Sequence, residues 1–179
     1  MSAFAQRPPR VSLTNMVSGE TLIAQYNPNQ LVEKFGASYE RLTVHGLSHK
    51  VKQFSNTDDA TLNFGIEWDA IELGSDGNQV LLNVRRWFKA SVHPRAGAGA
   101  IKTAGGPRIL FIWPALMSLT CVITSAEVTY ASFSVSTGGP TRLSVACTLE
   151  EIRDALVTME DVLDSDDTAT STVLRGGGL

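Results

Sequence analysis

The sequence predicts a mainly β chain with one or two helices. Three observations carry that prediction. Residues 107–150, PRILFIWPALMSLTCVITSAEVTYASFSVSTGGPTRLSVACTLE, are rich in β-branched and aromatic types, which fit a pleated, half-buried surface. Within that stretch Leu143, Val145, Cys147 and Leu149 alternate with Arg142, Ser144, Ala146 and Thr148, the period of a strand with one buried and one wet face. Val80, Leu81, Val84, Trp87 and Phe88 instead recur at helical spacing, on one stripe.

Taken in order, residues 1–10 form an arm kept extended by Pro8 and Pro9. Residues 11–16 are a first strand. Ser18 and Gly19 turn the chain, and Glu20 to Tyr26 closes a hairpin with it. Asn27, Pro28 and Asn29 break that strand, and Gln30 to Phe35 resumes extended. Periodicity is weak from Gly36 to Asp59. Leu42 and Val44 suit a short strand, the basic run from His49 to Gln53 an exposed edge or hairpin tip, and Asn56 to Asp59 a turn. Leu62, Phe64, Ile66 and Trp68 then alternate with Asn63, Gly65 and Glu67 in a half-buried strand.

Ser75 or Asp76 can cap the helix that carries the apolar stripe. Arg85, Arg86 and Lys89 fall off the stripe, toward solvent and near the negative end of the helix dipole. Pro94 stops the helix, and residues 95–106 are a small-residue loop. Three strands follow. The middle one changes parity between Leu119, Cys121, Ile123 and Val128, Tyr130. A bulge near Ser125 or Ala126 would reconcile the two sets, because one extra residue flips every later side chain. Gly138, Gly139 and Pro140 supply the last turn. A turn centred on the two glycines would set Cys147 opposite Tyr130, away from Cys121. Ile152, Leu156, Met159 and Leu163 suggest a second helix from Glu151 to Leu163 with an acidic outer face, and a polar tail follows.

A chain of 179 residues with 43% hydrophobic and 18% charged residues is globular and long enough for one core. Its net charge of −3 argues against tight nonspecific duplex binding, which needs a basic face. Cys121 and Cys147 both sit in apolar strand patterns and read as buried free thiols, with a disulfide as the alternative. The apolar run from Ile109 to Trp113 is far too short to span a bilayer, and the N-terminus has no apolar segment of signal-peptide length.

Few residues suggest chemistry. His45 and His49 are four apart, but Gly46 lies between them in a strand-like context without a third ligand. The doublets Asp58–Asp59 and Asp166–Asp167 suit solvated surface better than a catalytic pair. No GxSxG occurs, and AGAGAIKTAGGP lacks the spacing of a phosphate-binding loop. Trp68, Trp87 and Trp113 each fall in apolar patterns that suit core packing. No catalytic, cofactor-binding or metal-binding residue is assigned, and the expectation is a protein that is not an enzyme.

Several motifs follow one another along the chain: Gln25–Tyr26–Asn27–Pro28; Leu62, Asn63 and Phe64 followed by Asp69; Pro107 followed by a strand with Phe111 and ending at Trp113; and a final strand pair with Val128, Tyr130, Phe133, Gly139, Pro140 and Leu143. Together they resemble the tube-like domain of contractile injection system and phage-tail proteins. The resemblance covers roughly residues 11–151, with an arm at 1–10 and a helix and tail at 152–179. It implies a phage tail-tube-like β-barrel or sandwich flanked by an α-helix. It also implies a hexameric tube-initiator or adaptor ring between the central spike (hub) and the tail tube, in a virion baseplate or injection particle assembled in the bacterial cytoplasm. The implied partners are identical copies, the tail tube protein, the spike and other baseplate proteins. No membrane is implied, and DNA enters only as passing cargo. Such proteins often carry a C-terminal peptidoglycan-binding LysM module; the sequence after the match is too short for one, so cell-wall binding is not expected. The competing expectation is a small soluble β-sandwich that binds a glycan or peptide near the 95–106 loop.

Overall fold

In the computed structural model the described residues are 9–43, 50–94, 105–114, 116–153, 159 and 161. Their strands are β1 (Ser12–Asn15), β2 (Thr21–Ile23), β3 (Leu31–Leu42), β4 (Val51–Asp69), β5 (Ile109–Trp113), β6 (Met117–Phe133) and β7 (Pro140–Glu151). The helices are α1 (Ala70–Leu73) and α2 (Gly77–Ser91), joined by a 3-10 turn at Gly74–Asp76. All seven strands make one antiparallel sheet in the order β2-β1-β5-β6-β7-β4-β3. The described residues are mainly β with a single long helix, as the periodicities predict.

The sheet curls. Phe64 on β4 and Phe111 on β5 stack with ring centroids 5.2 Å apart, although β7 and β6 lie between those strands. In a flat sheet three strand spacings would hold them about 14 Å apart. The curled face encloses the core: Leu62, Phe64, Ile66 and Trp68 from β4, Leu143, Val145, Cys147 and Leu149 from β7, and Ile109 and Phe111 from β5 are all buried. Helix α2 closes it with Leu81, Val84, Trp87 and Phe88. Phe88 meets Trp68 edge-on at 6.3 Å and Trp87 at 5.2 Å, and the Trp87 Nε1–H donates to the Glu20 carbonyl. Each large apolar side chain buried this way contributes about 1.5–3 kcal/mol. Arg85, Arg86 and Lys89 face solvent.

Local departures from the sequence expectation have physical causes. The bulge in β6 falls between Ile123 and Ser125, within two residues of its expected place, and puts Ala126 and Val128 on the core side. The last turn is centred earlier than its glycines. Phe133 pairs with Pro140, and Gly138, with φ of +67°, ends the turn rather than centring it. Cys147 therefore lies opposite Ala126 and not Tyr130. It is still away from Cys121, and both cysteines are free and buried. Burial pushes each thiol up to about 12.

Residues Asn56 to Asp59 are not a turn. They lie within the 19-residue β4, which pairs with the 12-residue β3 along a single long hairpin. The basic residues Lys50 and Lys52 stand at its far end, as the hairpin-tip reading expected. Asp76 occupies the start of α2 without a side-chain cap bond, and the capping carboxylate is Asp69, at the start of α1. Glu151 ends β7 and does not begin a helix. Of the expected second helix, Ile152 and Arg153 are likewise described and not helical, whereas Met159 and Asp161 are helical. The 95–104 part of the loop, His45, His49 and Asp166–Asp167 lie outside the described residues.

Ser91, at the end of α2, is buried, and its Oγ has no hydrogen-bond partner among the described residues. A buried hydroxyl left unsatisfied carries its full desolvation penalty. Ser91→Ala is therefore expected to raise stability by about 1 kcal/mol, read as a higher urea midpoint at unchanged slope. A lower midpoint would refute the orphaned state of this hydroxyl.

Candidate functional site

The motif residues from the chain's first quarter converge on one joint. After β2 the chain leaves the sheet edge, and its irregular segment crosses to the end of β4. Gln25 spans the gap with both ends of its amide: Oε1 accepts from the Asp69 N–H at 2.9 Å, and Nε2 donates to the Asp69 carbonyl at 3.3 Å. A side chain thus links parts of the curled sheet that no backbone ladder joins. The Tyr26 hydroxyl donates to the Glu72 carboxylate on α1. Asn27 Oδ1 accepts from the Val11 N–H at 2.9 Å, and its Nδ2 donates to the Pro9 carbonyl at 3.0 Å, which fixes where the chain enters the domain. Pro28 is buried behind them.

Asp69 does two jobs. One carboxylate oxygen accepts from the Ile71 N–H at 2.8 Å and caps α1; the other takes the Arg142 guanidinium of β7 at 3.1 Å. The Arg142 hydrogen bond, with help from Ile71, holds the Asp69 carboxyl below its ordinary range, and the same pairing raises Arg142. The hydrogen bond to Glu72 raises the Tyr26 hydroxyl. An open cleft of about 630 Å³ lies alongside, bordered by Tyr26, Gln30, Glu67, Glu72 and Arg142. Asp69 with Arg142 and Tyr26 with Glu72 are matched donor to acceptor, so these pairs fasten elements together, while Glu67 borders the cleft without a hydrogen bond among the described residues. Among the described residues no three His, Cys, Asp or Glu side chains group to hold a metal, and no helix is long and apolar enough to cross a membrane.

The remaining motif residues are spread through the fold. Phe64 and Phe111 are the stacked core pair, and Pro107 is buried just before β5. Trp113 ends β5 half-buried opposite Met117. Tyr130 lies opposite Leu143 beside α2. Gly139 sits against the Asn78 side chain, where an added Cβ would stand 3.3 Å from Nδ2, and Pro140 opens β7. The sequence reading did not single out Glu72 or Arg142. Arg142 had a signal: it is a cation on the wet face of the last strand, opposite Asp69 once the register is known.

A second feature is the outer half of the β3–β4 hairpin. Among the described residues nothing pairs with the outer edge of β3, and no residue of β3 is buried. Leu31 and Glu33 lie opposite the core residues Phe64 and Leu62. Alternation along the unbulged β3 puts Phe35 and Tyr39 on that same side, and Phe54, paired with Tyr39, joins them. These aromatics are 70%, 58% and 55% exposed, and Tyr39 meets Phe54 edge-on at 5.8 Å. The apolar face of the domain therefore runs out past its own core.

The described residues thus form a single curled antiparallel sheet closed by α2, with an apolar hairpin face and an edge that no described strand covers. The chain belongs to the contractile injection system tube protein family, whose sequence model matches residues 11–159. It is thus a structural tube component of a contractile injection system. No curated protein matches it.

Proposed function

We propose that six copies of this chain close into a ring that serves as tube initiator or adaptor between the central spike and the polymerised tube. The particle would be a phage tail or a phage-derived injection system. The observation that carries this reading is the β3 edge with its exposed Phe35, Tyr39 and Phe54. An unpaired edge of 12 residues is a template for another strand, and an apolar face of this kind marks an interaction surface. A heterologous contact repeated by rotation closes into a ring. The family membership supplies the tube; the ring size and its layer are part of the proposal.

The test is Phe35→Asp combined with Phe54→Asp, with purified wild type imaged beside it. Wild type is expected to give six-fold rings by electron microscopy. The variant should remain monomeric with Tm changed by about 2 °C or less, because both side chains are exposed and outside the core. Wild-type protein that stays monomeric at high concentration, or a variant that still forms rings, would sink the proposal. Copy number per particle and position in a tail map distinguish an initiator or adaptor layer from the main tube.

A further inference from the structure

A groove of about 330 Å³ runs between α2 and β6. Phe88, Val92, Val128 and Tyr130 give it an apolar floor, and Arg85 and Lys89 stand on its rim. Among the described residues neither cation takes part in an ion pair; the neighbouring Arg86 is held by Glu20 at 3.0 Å. The groove thus offers apolar contact beside two uncompensated positive charges. Outside the described residues the sequence carries a segment of matching chemistry. Residues 162–174 read VLDSDDTATSTVL, with Asp164, Asp166 and Asp167 between the apolar pairs Val162–Leu163 and Val173–Leu174.

We propose that this acidic segment of a neighbouring copy docks in the α2–β6 groove, its aspartates facing Arg85 and Lys89 and one apolar pair on the floor. The inference rests on the ring reading above. Charge complementarity selects the segment, since charges of one sign on a rim reject partners of the same sign. Geometry selects the neighbour. The chain leaves the sheet at Ile152, whose N–H donates to the Thr120 carbonyl, whereas the groove lies at Val128 and Tyr130. Ten strand positions separate Thr120 from Tyr130, about 33 Å. A copy's own segment would have to double back along that length, and the proposal assigns the segment to a neighbour instead. Subunits would then be tied by the tail as well as by the hairpin, and tying two contacts together multiplies their strength through effective concentration.

The experiment uses the full chain carrying Lys89→Cys and Asp166→Cys, treated with a mild oxidant and run on a non-reducing gel. Cys121 and Cys147 are 0% and 2% exposed and stay silent in the folded state. A ladder of covalent multimers is expected, and adding Arg85→Glu should cut the bridged fraction at least fivefold. A bridge confined to single chains overturns the assignment to a neighbour. No bridge at all overturns the docking, and a ladder unaffected by Arg85→Glu overturns its electrostatic basis. Imaging the same samples separates the two proposals: rings without the ladder leave the ring standing and remove the tail contact.

Discussion

Gly77→Ala is expected to destabilise the fold by about 3 kcal/mol, although alanine is the better helix former. Gly77 has helical torsions, φ −52° and ψ −46°, so local propensity alone predicts a gain of about 1 kcal/mol. Packing predicts the opposite. A Cβ built at Gly77 would stand 2.7 Å from both the Cα and the carbonyl carbon of Ala70, and closer still to its carbonyl oxygen. These are backbone atoms, so no side chain can swing away. Nor can α2 back off, because Leu81, Val84, Trp87 and Phe88 hold it in the core a turn later. Urea unfolding of the variant decides between the two effects, and a raised midpoint would show that the α1–α2 junction is looser than described.

Asp69→Ala is expected to cost about 1–2 kcal/mol, the sum of a lost helix cap and a half-exposed ion pair. Asp69→Asn separates the parts, since the amide oxygen can still accept from Ile71 but no longer pairs with Arg142. Its cost should be about half that of the alanine variant. Acid adds a third measurement. The carboxyl is held below its ordinary value, so its contribution is complete above about pH 4 and fades as pH falls through the lower, folded value. Wild type should therefore lose part of its advantage over Asp69→Asn below about pH 4. A stability difference that stays constant down to pH 2 would show that Asp69 acts through shape and not charge.

Legibility in the sequence followed burial. The strands 62–68 and 143–149 could be read because one face enters the core and the other does not, and α2 because four of its residues share the buried stripe. The outer hairpin could not. Among the described residues from Gly36 to Asp59 no side chain is buried, so no alternation is imposed, and Asn56 to Asp59 resembled a turn because solvent tolerates polar residues on both faces of a strand. The last turn misled by its glycines, which end it. At the joint, the residue types of Gln25, Tyr26, Asn27 and Asp69 were visible as a motif. Their pairing was not, since Gln25 meets Asp69 across 44 positions and only the curl brings them together.

The two register breaks in the β3–β4 hairpin bear on the life of the subunit before it meets a partner. A bulge skews its strand and increases the local twist, so the open edge follows a warped line. Amyloid growth asks for flat, in-register stacking of identical segments. Such a warped border is a poor template for endless in-register stacking and suits a neighbour of matching curvature.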